Sequence, residues 1–240
     1  MRFIVCNNYE EMSEKAAEIF ASQLILKPDS VLGLATGTTP IGTYDRLVEM
    51  NKAGKIDFSK VHTFNLDEYY PIKADNDQSY RYFMNKYLFD RVNIDKANTH
   101  VPNGEAADPD EEGKNYDAML KAVGGVDVQL LGIGRNGHIA FNEPDSYLIA
   151  GTHKTALTDD TIEANSRLFN DISEVPHYAL TMGMASIMSA KMIVLLANGR
   201  GKHDAITKLL DDKITPDCPA SFLKLHPNVV IICDKEAFEG

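Results

Sequence analysis

The sequence predicts an α/β protein with a mostly parallel, doubly wound sheet between two layers of helices. Strand-like and helix-like segments alternate along almost the whole chain, and the strand-like segments are continuous apolar runs, as in strands covered on both faces. The length of 240 residues, with 44% apolar and 25% charged residues, allows one large domain or two small ones. Because no internal repeat or linker interrupts the pattern, we expect one three-layer αβα, Rossmann-like domain over residues 1–240.

Six apolar runs are predicted as the strands of this sheet. RFIVC is the first and NVVIICD the last, and the runs are short, rich in Val, Ile or Leu, and bounded by turn-forming residues. In chain order they cover 2–6, 30–35, 60–66, 126–134, 190–199 and 228–234.

Five amphipathic segments are predicted as helices. In the first, apolar residues recur at three- and four-residue steps from Met12 to Leu24. The second has Pro40 near its start and Gly54 after its end, the asymmetry expected of a helix. The helices cover 9–26, 40–54, 77–92, 111–125 and 201–212. The stretch of about 145–175 is the least regular part, and we expect it to be a mobile lid or insertion.

The charge balance argues against two classes of partner. Lys plus Arg is 24 and Asp plus Glu is 35, which gives a formal net charge of −11. An acidic surface disfavours nucleic acid and anionic membranes, but it leaves room for a small anionic ligand held by a local cluster of donors. No apolar run approaches the roughly 18 residues of a membrane helix.

The cysteines and the N-terminus predict a cytoplasmic protein. The three cysteines are far apart and form no CxxC motif, which disfavours a disulfide framework or a zinc site. The N-terminal sequence MRFIVCNNYEEMSEKA lacks the pattern of a signal peptide, because its apolar run is short and acidic residues follow at once.

Sheets of this kind bind ligands beyond the carboxyl ends of their strands, so the first candidate site is the loop after strand 30–35. There, Gly37, Thr38 and Thr39 precede a helix that starts near Pro40. Free backbone N–H groups at a helix N-terminus, with hydroxyls beside them, form a phosphate cradle. The loop is neither a Walker A motif nor GxGxxG, which disfavours nucleoside triphosphates and dinucleotides. An ordinary Thr/Gly turn explains the spacing equally well.

The second candidate is a pair of acids, Asp67 and Glu68, in FNLDEYYP at the end of strand 60–66. A carboxylate there projects over the sheet edge and can act as a general base. Taken alone, the pair is better explained by a helix cap or a surface ion pair.

The third candidate is the stretch GIGRNGHIAFNEP, residues 132–144. Its glycines permit tight turns, and His138 is the side chain suited to exchange protons near neutral pH. Glu143 is placed to hold the other ring nitrogen, and Asn136 to orient either group. The alternative, a structural histidine in a turn, fits this combination less well. Neither a GxSxG motif nor the spacing of a metal site is present, so we expect no metal.

Two cations are candidate phosphate ligands. Arg167 lies in EANSRLF, and Lys202 follows strand 190–199 at the start of a helix. For either residue alone, plain surface charge is the stronger explanation.

Together these motifs resemble the glucosamine-6-phosphate deaminase family. LGLATGTTPIGTY, FNLDEYY, GIGRNGHIAFNEP, ANSRLF, GRGKHDAI and LKLHPNVVIICD occur in the family's order from about residue 30 to the C-terminus. The resemblance implies an isomerising carbon–nitrogen hydrolase of amino sugar catabolism, which converts glucosamine 6-phosphate and water to fructose 6-phosphate and ammonia without metal or organic cofactor.

The resemblance also implies roles. His138 opens the pyranose ring, Asn136 and Glu143 orient and tune it, and Asp67 moves the proton from carbon 2 to carbon 1. The phosphate binds the amides of Gly37 to Thr39 together with Arg167 and Lys202, and residues 145–175 close over the sugar. Many family members carry Asp where this chain has Asn136.

Two other functions remain open on the residues. One is a 6-phosphogluconolactonase-like hydrolase, which shares the Gly-His turn but lacks the Phe-Asn-Glu-Pro continuation and needs no enolising acid. The other is a non-enzymatic sugar-phosphate sensor, although such sensors usually carry a DNA-binding domain and no helix-turn-helix segment or basic patch precedes residue 30.

Overall fold

A computed structural model describes residues 1–166, 169, 171 and 174–240. The strands are β1 (Arg2–Cys6), β2 (Val31–Leu34), β3 (His62–Asn65), β4 (Asp67–Tyr70), β5 (Thr99–His100), β6 (Val128–Gly132), β7 (His153–Ala156), β8 (Tyr178–Thr181), β9 (Met192–Ala197) and β10 (Val229–Asp234). The helices are α1 (Tyr9–Leu26), α2 (Ile41–Lys52), α3 (Tyr80–Met84), α4 (Pro109–Ala122), α5 (Asp159–Ser166), α6 (Met184–Met188), α7 (His203–Leu210) and α8 (Lys235–Glu239).

The central sheet has the order β1-β10-β9-β6-β2-β3-β5, and every neighbouring pair is parallel. Its inner strands are almost wholly buried, because helices cover both faces. The predicted fold class is therefore confirmed. The carboxyl ends of β2, β6 and β9 lie side by side, which brings the loops that follow them to one edge.

The helices follow the patterning of the sequence. Helix α1 begins after Asn8, whose side chain accepts a hydrogen bond from the backbone N–H of Glu11, and its apolar stripe is buried in the core. Helix α4 begins after Asp108, which accepts two backbone N–H groups, with Pro109 at the first position. The predicted helix 77–92 is shorter, because α3 passes into a π-helical turn at Asn85–Phe89.

A second sheet was not predicted. Strands β4, β8 and β7 form a three-stranded antiparallel sheet beside the main one, with Asp67 opposite Thr181. It has a small core of its own, which includes Tyr69, Phe141 and Leu157. Asp67 therefore opens a new strand immediately beyond the end of β3.

The stretch 145–175, predicted as a lid, includes positions 167, 168, 170, 172 and 173, which lie outside the described residues, and its described part is partly regular. It contains β7, which pairs with β8, and helix α5. Its closing motion stays a prediction. No helix in the part of the chain that the structure describes is long and apolar enough to cross a membrane.

Candidate active site

The loop after β6 places His138 over a glycine. The backbone N–H of Gly134 donates to the carbonyl of His138 at 2.9 Å, and that of Gly137, which has φ of 94°, donates to the carbonyl of Gly134 at 3.0 Å. A Cβ at position 134 would lie 2.3 Å from Cε1 of the imidazole. Gly134 is therefore required for the histidine to occupy this place, and Gly137 for the turn that carries it.

Three predicted site residues meet in this loop. Nδ1 of His138 lies 3.0 Å from the carboxylate of Glu143. Nδ2 of Asn136 donates to Oε2 of Glu143 at 2.6 Å, and Oδ1 of Asn136 accepts the backbone N–H of His138 at 3.1 Å. With Nδ1 donating to the carboxylate, Nε2 of the imidazole, which has no hydrogen-bond partner among the described residues, is the nitrogen that can exchange a proton with a ligand.

Glu143 has a further partner that the sequence did not reveal. Oγ1 of Thr161, in α5, donates to Oε1 of Glu143 at 2.9 Å. Burial acts to raise the pKa of Glu143, but hydrogen bonds from His138, Asn136 and Thr161 outweigh it, so the pKa lies below its usual value. The carboxylate is thus held ionised beside the imidazole.

Asp67 lies in a different environment. Its side chain is buried, with 7% of the residue exposed, and none of the described residues donates a hydrogen bond to its carboxylate. Burial, followed by the charge of neighbouring Glu68, raises the pKa of Asp67 to about 8. This carboxylate has free acceptor positions and a proton affinity suited to exchange near neutral pH.

Glu68 is a structural residue. Its carboxylate accepts the backbone N–H groups of Tyr69 at 3.0 Å, Tyr80 at 2.8 Å and Arg81 at 2.9 Å, the last two at the start of α3. Burial raises its pKa to about 7, against the opposing effect of these donors. The helix-cap explanation considered for the acid pair therefore applies to Glu68 and not to Asp67.

The small sheet connects Asp67 to the histidine loop. Thr181 of β8 is the register partner of Asp67, and its Oγ1 accepts the backbone N–H of Phe141 at 3.1 Å. The side chain of Asn142 donates to the carbonyls of Met182 and Ile139 at 2.8 and 3.0 Å. Phe141 and Asn142, two adjacent residues of the histidine loop, are thus hydrogen-bonded to the C-terminal end of β8, the strand that pairs with Asp67.

The loop after β2 has the features of an anion site. Gly37 has φ of 97°, and the backbone N–H groups of residues 36–39 donate no hydrogen bond to another described residue. Gly37 and Thr38 are exposed. Oγ1 of Thr39 donates to Oδ1 of Asn198 at 2.7 Å, which ties this loop to the one after β9.

Lys202 lies at the same edge. Its Nζ donates to the carbonyl of Ile133 at 2.6 Å, immediately after β6. Burial and the nearby charge of Arg135 lower the pKa of Lys202. Arg167, the other predicted phosphate ligand, lies outside the described residues. Within the described chain, no three His, Cys, Asp or Glu side chains group as metal ligands would.

Comparison with known proteins gives consistent matches. The family model for glucosamine-6-phosphate isomerases/6-phosphogluconolactonase matches residues 7–231. A glucosamine-6-phosphate deaminase of Clostridium beijerinckii is 56% identical, covering 98% of both chains. One from Thermoanaerobacter pseudethanolicus is 54% identical, covering 99% of this chain and 94% of the relative.

Solved structures agree. A monomeric glucosamine-6-phosphate deaminase superposes with a TM-score of 0.97 at 43% identity, covering 99% of this chain and 98% of the other. The 6-phosphogluconolactonase of Thermotoga maritima has a TM-score of 0.78 at 21% identity, covering 98% and 99%. At that identity the second likeness shows the fold alone.

Proposed function

The chain belongs to the glucosamine-6-phosphate isomerase/6-phosphogluconolactonase family, and we propose that it is the enzyme that its nearer relatives are named for, glucosamine-6-phosphate deaminase. It converts glucosamine 6-phosphate and water to fructose 6-phosphate and ammonia. Two deaminases of clostridia are 56% and 55% identical over nearly the full chain, whereas the lactonase of known structure shares the fold at 21% identity. The resemblance inferred from the motifs is thereby confirmed.

One observation carries the mechanism. Two acid–base groups, His138 and Asp67, have different surroundings, and the small sheet of β4, β8 and β7 connects the segments that carry them. His138 is held by an ionised carboxylate, while Asp67 is buried with no donor among the described residues. The reaction needs two such groups, because the proton on carbon 2 becomes acidic only after the ring has opened to an aldehyde at carbon 1.

In the first step, His138 moves the proton that opens the pyranose. Nε2 accepts the proton of the carbon 1 hydroxyl and returns it to the ring oxygen as the ring bond breaks. Glu143 stabilises the imidazolium that forms between these transfers, and Asn136 fixes the position of Glu143. A positioned base of this kind contributes about 10²–10⁴-fold in rate.

In the second step, Asp67 isomerises the open chain. Its ionised carboxylate takes the proton from carbon 2 to give an enolamine and returns it to carbon 1 to give the ketose imine. Water adds to carbon 2 of this imine, and ammonia leaves as the ketone forms. A protonated 2-amino group on the bound substrate favours the ionised form of Asp67 and so offsets the burial that raises its pKa.

The phosphate is held at the far end of the sugar. The amides of Gly37, Thr38 and Thr39 and the ammonium of Lys202 face an anion from two adjacent loops, and Arg167 is the further ligand that the family resemblance implies. Binding energy from this end aligns the reacting carbons. The stretch 145–175 closes over the sugar and excludes water.

The proposed cellular setting is the cytoplasm, and the cysteines support it. Cys6, Cys218 and Cys233 are buried and unbridged, which fits the reducing cytoplasm, where amino sugar catabolism takes place.

The reaction is tested by incubating purified protein with glucosamine 6-phosphate and EDTA, without added cofactor. Equimolar ammonia and fructose 6-phosphate support the proposal. Binding of the sugar phosphate without either product contradicts it, and hydrolysis of 6-phosphogluconolactone is then the next reaction to measure.

A further inference from the structure

One hydroxyl of helix α5, that of Thr161, is hydrogen-bonded to Glu143, the carboxylate that holds His138. Thr161 has 8% of its surface exposed, and its Oγ1 donates to Oε1 of Glu143 at 2.9 Å. Nδ2 of Asn136 occupies the other oxygen, Oε2, at 2.6 Å. Both oxygens of the carboxylate are therefore engaged, and the plane of the carboxylate is fixed relative to the imidazole.

The donor direction of the Thr161 hydroxyl is itself determined. Oγ1 of Thr158 donates to Oγ1 of Thr161 at 3.0 Å, and the backbone N–H of Thr161 donates to Oγ1 of Thr158 at 3.3 Å. Since Oγ1 of Thr161 accepts a hydrogen bond from Thr158, its own O–H can donate to Glu143. The two hydroxyls and the carboxylate form a directed chain of hydrogen bonds.

Helix α5 is anchored so that this hydroxyl reaches its acceptor. Ile162, the next residue, packs against the small core that contains Tyr69 and Phe141. The helix lies within the stretch 145–175, apart from the loop that carries the other two partners of Glu143. With α5 packed on the small core, the hydroxyl of Thr161 lies within hydrogen-bond distance of Glu143.

We propose that Thr161 is a positioning residue, which orients Glu143 for its work on His138 and makes the complete relay dependent on the seating of helix α5. This inference rests on the proposed deaminase function, because the relay is the one that opens the sugar ring. It adds to that function a connection between the segment that covers the sugar and the group that transfers the first proton.

The test compares Thr161→Val with Thr161→Ser. Removing the hydroxyl should lower kcat by about tenfold, because one hydrogen bond to an ionised group is lost, and leave KM within about twofold. Serine keeps the donor and should restore kcat. Thr155→Val, which alters a hydroxyl of β7 that makes no contact with Glu143, is the matched control.

A second readout separates positioning from mere packing. Loss of the Thr161 donor should raise the pKa of Glu143, measured by carbon-13 NMR of its carboxyl group, and serine should return it. Among the described residues, His138 is the titratable group in contact with Glu143, and Asn136 and Thr161 are neutral. If the valine variant does not fold, Thr161→Ala, which suits a helix better, takes its place.

The inference is overturned if the valine variant keeps the kcat and the Glu143 pKa of the parent, or if serine fails to rescue either. If the parent protein releases no ammonia, the proposed function fails instead. The NMR readout then still decides whether Thr161 holds Glu143.

Discussion

At the scale of single residues, the acid pair Asp67–Glu68 shows how neighbours in sequence acquire separate tasks. The two carboxylates are adjacent and both are buried. Glu68 accepts three backbone N–H groups, whereas Asp67 accepts none from the described residues. Sequence patterning cannot distinguish them, because the donors to Glu68 come mostly from a helix that begins 12 residues later.

Asn136 is the residue at which the chain departs from many family members. Its amide donates to Glu143, so Asn136→Asp would replace a donor by a second carboxylate facing the first. Like charges at this distance raise the pKa of one of the pair. We expect the acid limb of the pH–kcat profile to move to higher pH, because the relay needs Glu143 ionised.

The chain offers a matched control for this substitution. Asn7 also donates its side-chain amide to a glutamate, Glu11, at 2.8 Å, but at an exposed place. Asn7→Asp should leave the profile unchanged. A profile that Asn136→Asp also leaves unchanged would show that Asn136 does not act through Glu143.

At the scale of elements, the junction of β4 with α3 adds to the effect of burial on the pKa of Asp67. Glu68 connects the strand to the helix, and its negative charge contributes to the raised pKa of Asp67. Glu68→Gln removes that charge and should lower the pKa of Asp67. Because the proposed mechanism uses the ionised form of Asp67, the acid limb of the pH–kcat/KM profile should move to lower pH.

Glu49→Gln, which removes an exposed carboxylate of α2 that pairs with Arg46, is the control for this variant. Thermal unfolding of both variants verifies that they remain folded. A limb that stays in place in folded Glu68→Gln protein would contradict the assignment of that limb to Asp67.

We propose that the loops after β2, β6 and β9 together form the phosphate end of the site. Lys202 is partly buried, and its ammonium donates to the carbonyl of Ile133. This hydrogen bond holds the side chain in one position. Lys202→Gln should lower kcat/KM by about tenfold to a hundredfold, mainly through KM, because a charge-assisted contact to phosphate is lost.

Lys208→Gln, on the exposed side of α7, controls for the loss of one positive charge. Substrate titrations of the two variants at equal ionic strength make the comparison. An equal change in KM for both would mean that general electrostatics, and not a phosphate contact, accounts for the effect.

At the scale of the whole molecule, six of the seven strands of the main sheet could be predicted, whereas the two-residue strand β5 and the small sheet could not. Strands such as β9 and β10 are buried on both faces and form uninterrupted apolar runs. Strands β4 and β7 have four residues each, and DEYY and HKTA contain no apolar run. Their pairing depends on contacts between distant parts of the chain, which local periodicity does not encode.

The candidate site, like the fold, contains residues that the sequence predicted and one that it did not. His138, Asn136 and Glu143 were predicted because one glycine-rich loop carries all three. Thr161 was missed because it lies 18 residues from Glu143 in a segment with weak periodicity, and the hydrogen bond exists only in the folded chain. The roles of the phosphate ligands stay predictions until substrate is bound.

The most direct test of the account asks whether ring opening and isomerisation can be separated. In Asp67→Asn protein, exchange between the anomers of glucosamine 6-phosphate is followed by NMR, alongside ammonia release. The account predicts that the variant still accelerates anomer exchange through His138, while ammonia release falls by about 10²–10⁴-fold. Unchanged ammonia release, or loss of both activities in a folded protein that binds the sugar, would contradict the division of work between His138 and Asp67.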